Sequence, residues 1–135
     1  MVVNPAVATK RKDVKLLPVL KHVVPSFPAI ANDIKKPGQD EHGYQRLPLK
    51  GLAAVLEMWK VVVPDLKKVT QPLLYFRSTT DHVIDPSSSP TVLRGVASVD
   101  IEERMLDNSY HVATLDHDAD RIETETAEFV ARVTA

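Results

Sequence analysis

The run Leu73-Leu74-Tyr75-Phe76 constrains this chain more than any other feature. Four apolar residues without interruption do not alternate as a half-exposed edge strand does. They suit a parallel strand covered on both faces. A parallel neighbour needs a crossover connection, so helices are expected between the strands. The run leads into Thr80-Asp81-His82-Val83-Ile84. Thirty positions after Asp81 comes Asn108-Ser109-Tyr110-His111-Val112, at the end of a second strand expected over Ser98 to Met105. An acid after one strand and a histidine after the next, with a helix-length segment between, is the pattern to be explained. Taken singly, an aspartate after a strand is commonly a turn residue and a histidine there a packed ring.

The other elements follow from periodicity and breakers. Val2-Val3 before Asn4-Pro5 reads as a short buried strand ended by a proline that cannot donate to a ladder. Lys10 to about Pro48 breaks into short helical pieces, with Val14, Leu17, Leu20 and Val24 at helical spacing and prolines at 18, 25, 28 and 37. Leu52, Val55, Leu56, Trp59, Val62 and Val63 give an amphipathic helix from Pro48 to Pro64, its stripe expected in the core. Asp85-Pro86-Ser87-Ser88-Ser89 supplies caps for the next helix, whose buried side is Val92, Leu93 and Val96. The strand over Ser98 to Met105 carries Asp100, Glu102, Glu103 and Arg104, which places it near a sheet edge. Asp116, Asp118 and Asp120 fall where a helix N-terminus favours negative charge, ahead of Ile122, Thr126, Phe129, Val130 and Val133 on one face of a final helix. The order is strand, lid, helix, strand, helix, strand, helix, which is the alternation of an α/β protein.

Composition narrows the partners. Seventeen Lys and Arg against eighteen Asp and Glu leave no electrostatic case for nucleic acid or an acidic membrane surface. The absence of cysteine rules out disulfides and thiolate zinc sites and fits a cytoplasmic protein. No segment is long and apolar enough to span a bilayer, and Met1-Val2-Val3-Asn4-Pro5 has neither the basic start nor the apolar length expected of a signal peptide. Asp116-His117-Asp118-Ala119-Asp120 fails as a calcium loop, because Arg121 stands at the sixth position and Ala127 at the twelfth, so no metal or other cofactor is expected. His82 is read as a loop residue, and His22 and His42 as lid residues.

Two stretches carry a resemblance. Ser109-Tyr110-His111-Val112-Ala113-Thr114-Leu115-Asp116 and Thr79-Thr80-Asp81-His82-Val83-Ile84-Asp85-Pro86 are similar to the histidine and acid segments of the α/β-hydrolases of the bacterial carboxylesterase and monoacylglycerol lipase group, also called serine aminopeptidase-like. From Val2 to Val133 the chain resembles the C-terminal half of that fold, with the last three parallel strands and a small helical cap, and the N-terminal half absent. The resemblance implies residues 1–9 as the strand after the nucleophile helix, about 10–64 as the cap and following helix, and about 65–135 as the acid- and histidine-bearing part. It implies catalytic roles for Asp81 and His111, in the hydrolysis of a carboxylic ester or monoglyceride through an acyl-serine intermediate.

No Gly-x-Ser-x-Gly occurs, so this region by itself is expected to be nearly inert, and Ser87, Ser88 and Ser89 are read as capping residues rather than nucleophiles. The open side of the Val2-Val3 strand is expected to draw a complementing N-terminal half or to cause self-association. Leu16, Leu17, Leu20, Val23, Val24 and Ile30 offer an apolar wall for an acyl chain. A second class of reading is a non-catalytic binding or structural remnant.

Overall fold

The computed structural model describes all 135 residues. Three parallel strands form its sheet: β1 (Val2–Val3), β4 (Leu73–Ser78) and β5 (Ile101–Leu106), in the spatial order β1-β4-β5. Val2 pairs with Tyr75 and Val3 with Phe76 on one side of β4. Leu73 to Ser78 pair in register with Ile101 to Leu106 on the other. Helix α3 (Ser88–Gly95) makes the crossover from β4 to β5, and α4 (Ala119–Thr134) closes the chain.

The central position of β4 explains its unbroken apolar run. Successive side chains of a strand point to opposite faces, and both faces here are covered. Leu74 and Phe76 join Leu106, Ala113, Ile122 and Phe129 under α4, while Leu73 and Tyr75 pack with Val92 of α3. Tyr75 is wholly buried, and its hydroxyl donates to Ser89 Oγ at 3.0 Å, which satisfies the one polar atom this ring brings into the core. Phe76 is equally inaccessible. Truncation of a buried phenylalanine typically costs about 3–5 kcal/mol, a large share of the roughly 5–15 kcal/mol that holds a domain together. The Phe76→Ala chain is therefore expected to lose most of its cooperative urea transition; a midpoint close to that of the parent would refute this placement of the core.

β5 is an outer strand, as its charges require, and those charges are answered by α4. Arg104 bonds Glu125 at 3.1 Å, Arg132 bonds Asp100 at 2.9 Å and Glu102 at 2.6 Å, and Arg77 of β4 bonds Glu103 at 3.0 Å. On α4, Ile122 and Phe129 are buried, but Val130 and Val133 of the same face are exposed.

The segment between β1 and β4 departs from the expected run of helical pieces. After a 3-10 turn (Asp13–Leu16) and the two-turn helix α1 (Leu17–Val23), β2 (Ser26–Pro28) and β3 (Arg46–Pro48) form an antiparallel ribbon. Its ladder tolerates two prolines. The flanking bonds run from Ala29 N to Gln45 O and from Leu49 N to Pro25 O, so Pro28 and Pro48 fall in the intervening pairs that need no donor. Helix α2 (Leu49–Asp65) follows, one residue displaced from the expected Pro48–Pro64. Its stripe does not form a closed core. Only Leu49 is fully buried, because the side facing α1 opens into a groove.

Candidate active site

The loops that follow β4 and β5 leave the same edge of the sheet, because the two strands are parallel and in register. One carries Asp81 and the other His111. Asp81 Oδ2 lies 2.9 Å from His111 Nδ1. The other carboxylate oxygen, Oδ1, accepts the amide N–H groups of Val83 at 2.9 Å and Ile84 at 2.8 Å, which sets the side chain in its own turn. Both residues are partly buried. Burial by itself would raise the Asp81 carboxyl, but the His111 ring and the two amides outweigh it and hold the group below the usual carboxylate range. The Asp81 hydrogen bond raises the His111 imidazole. Burial opposes the rise, and the charges of Asp81, Asp33 and Glu41 add to it.

A polar network anchors the histidine loop from below. Asn4, at the end of β1, adopts a positive φ of 43°, a conformation asparagine tolerates better than most residues. From there its Nδ2 donates to His111 O at 2.8 Å and Ser78 Oγ at 2.9 Å, and its Oδ1 accepts the Ser78 N–H at 2.8 Å. Ser78 Oγ donates in turn to Tyr110 O at 2.7 Å. The polar tail of β4 and the residue before Pro5 thus hold the backbone carrying His111.

Four acidic or hydroxyl groups read as helix caps do other work. Asp116 is 1% exposed and accepts four backbone N–H groups, from Lys35 (2.7 Å), Lys36 (2.9 Å), Tyr110 (2.9 Å) and His117 (2.8 Å). Burial would raise its carboxyl, yet these donors leave it lowered. Asp118 precedes α4 without capping it, and instead accepts Asn108 N–H and the Ser109 hydroxyl. Of the three acids only Asp120 stands in the first turn of α4. Likewise Ser87 makes no cap bond to α3; its hydroxyl donates to Asp85. Ser88 Oγ accepts the N–H groups of Val7 and Ala8, tying the chain after β1 to α3. For Asp116, Asp118 and Ser88 a contact more distant in sequence displaced the local one.

His82 is not an idle loop residue. Its Nδ1 lies 2.7 Å from Asp33 Oδ1, and its ring meets Tyr110 edge-on, with centroids 4.7 Å apart. Asp33 had no signal in the sequence beyond being an acid in a proline-rich stretch. His42 is exposed, with its amide bonded to Asp40.

A groove of about 730 Å³ runs from the loop after β4, at His82 to Asp85, between α1 and α2. Leu17, Leu20, Phe27, Leu52, Leu56 and Trp59 line it. Of the wall expected from α1 and its surroundings, only Leu17 and Leu20 take part. Val23 is exposed, since a two-turn helix can present only one narrow face, and Leu16 and Ile30, which lie outside α1, are exposed as well.

Parallel strands with covering helices, and an acid and a histidine meeting past the ends of adjacent strands, are the architecture of an α/β-hydrolase. The comparisons with known proteins agree. No family model matches the chain. It is 34% identical over 104 residues to the thermostable monoacylglycerol lipase of Bacillus sp. (strain H-257), a match covering 77% of this chain and 42% of that protein. Among solved structures it is similar to one from the metagenome-derived lipolytic enzymes LipS and LipT (TM-score 0.88, 30% identity, 96% of this chain and 53% of the other). It also shares the fold of the Paleococcus ferrophilus monoacylglycerol lipase (TM-score 0.71, 18% identity, 95% and 57%). The chain belongs to the monoacylglycerol lipase and esterase group of the α/β-hydrolases, and spans about half the length of the relatives it matches.

Proposed function

We propose that this region supplies the acid and the base of a serine-dependent carboxylic-ester hydrolase, of the carboxylesterase or monoacylglycerol lipase kind. The observation that carries the reading is the 2.9 Å contact between Asp81 and His111 Nδ1. In this reading Asp81 fixes the tautomer with the proton on Nδ1, which leaves Nε2 free to take a proton from a serine hydroxyl. His111 then returns that proton to the departing alcohol, and water repeats the cycle on the acyl-serine. The groove beside α2, with residues of about 10–64 as its cap, would take the apolar part of the ester.

The nucleophile in this reading comes from a serine outside these 135 residues. The seven serines present support it, because every one of their hydroxyls has a partner elsewhere and none is bonded to His111. Two further features favour a complementing segment beside β1: that strand pairs on one side only, and a depression of about 630 Å³ lies between Met1 and the apolar face of α4.

Intact mass after exposure to a fluorophosphonate, which marks base-activated serines, tests this reading. The chain alone is expected to gain no adduct. Joined to the part of its Bacillus relative that it does not match, it is expected to be labelled on a serine of that part, and the label is expected to vanish in His111→Ala. An adduct on the chain alone would show that one of its own serines is the nucleophile. A joined chain whose labelling survives His111→Ala would leave the alternative, a non-catalytic domain.

A further inference from the structure

Asp33 lies between β2 and β3, far along the chain from both loops of the site, yet its carboxylate is almost wholly buried (4% exposed) against those two loops. Oδ1 faces His82 Nδ1 at 2.7 Å. Oδ2 accepts the amide N–H groups of His82 and His111, each at 3.1 Å, and the Asp33 carbonyl accepts Val112 N–H at 3.2 Å. The segment is pinned a second time two residues on, where Lys35 and Lys36 donate to Asp116 and the Lys35 ammonium donates to Asn108. Asp33's own N–H is held by Glu41 at 3.1 Å.

We propose that Asp33 is a positioning residue for the Asp81–His111 pair: a single carboxylate set between the loop after β4 and the loop after β5 fixes both backbones so that Asp81 reaches His111 Nδ1. The inference rests on the function proposed above. An ionised carboxylate is an acceptor with about four lone-pair sites, so it can gather several N–H donors from different loops at one point. Amides one residue from Asp81 and at His111 itself converge on the same oxygen, Oδ2, and their separation is thereby set by one atom. His82 completes the tie through its ring, whose Nδ1 meets Asp33 Oδ1. The charges that face the His111 ring are those of Asp81, Asp33 and Glu41, all favouring the imidazolium that forms during attack.

The test is nuclear magnetic resonance of the isotope-labelled chain. In the parent, the amides of His82 and His111 are expected to exchange slowly, and the proton between Asp81 and His111 to appear as a far-downfield resonance. In Asp33→Leu, of similar shape, both amides lose their acceptor. Both amides are expected to exchange faster by about tenfold or more, the factor that loss of a hydrogen bond to a charged group implies. The downfield proton should be lost while the methyl shifts of Leu74 and Leu106 stay put. Asp118→Asn, which removes a carboxylate bonded to Asn108 and Ser109 of the same loop, is expected to leave that proton in place. Loss of the proton in Asp118→Asn as well would mean that any weakening of the loop suffices, and would overturn the assignment. So would a folded Asp33→Leu chain with parental exchange rates. Should Asp33→Leu not fold, the parent alone decides: His82 and His111 amides exchanging at open-loop rates refute the strap. Asp81→Asn separates this inference from the function it rests on, since it should remove the downfield proton and leave both amides protected.

Discussion

Replacing His111 with alanine, in the chain joined to a serine-bearing segment, is expected to lower ester turnover by on the order of 10⁶, the cost of removing the base from a serine triad. The expected loss is in kcat, because the imidazole moves a proton only as the serine attacks and does not bind the ground-state ester. Hydrolysis of a short-chain ester, followed in parent and variant at matched amounts of folded protein, reads the effect. A decline of tenfold or less would remove His111 from the chemistry, whatever its geometry.

Asp81→Asn is expected to lower turnover by about 10⁴, less than loss of the base, since the ring survives and only its tautomer and orientation are lost. This variant also carries a sign that a merely structural residue would not. The acid limb of the kcat/KM profile reports deprotonation of the free base. The Asp81 hydrogen bond is the main cause lifting the His111 imidazole above its ordinary range. With the carboxylate gone, the limb should move to lower pH even as the plateau falls. A limb that stays in place, or moves to higher pH, would show that another group sets the protonation of the base.

The parts of the site legible in the sequence were those written in local order. Leu73 to Phe76 could be read as a doubly covered strand because burial on both faces leaves an unbroken apolar run. Asp81 and His111 stood out because each follows a strand by a few residues. The charges of β5 marked an outer strand correctly. α2 was legible as a helix, but its stripe was misplaced in the core, since an apolar face looks the same in sequence whether it meets a neighbour or lines a groove. The β2–β3 ribbon was hidden by its prolines, which sit at the pairs where no donor is required. The caps expected at Asp116 and Ser88 were local solutions for groups that found distant partners instead, while Ser87 turned its hydroxyl back to Asp85.

The sequence by itself determined the alternation of strand and helix, the central strand, and the acid and histidine that follow neighbouring strands, because these depend on periodicity and on residues a few positions apart. Only the tertiary structure decided what holds that pair in place. Asn4 reaches His111 across 107 positions, Asp33 reaches it across 78, and Asp116 gathers Lys35 and Lys36 across about 80. A buried amide or carboxylate takes whichever partners the fold delivers to it, and nothing in the neighbouring residues specifies which those will be.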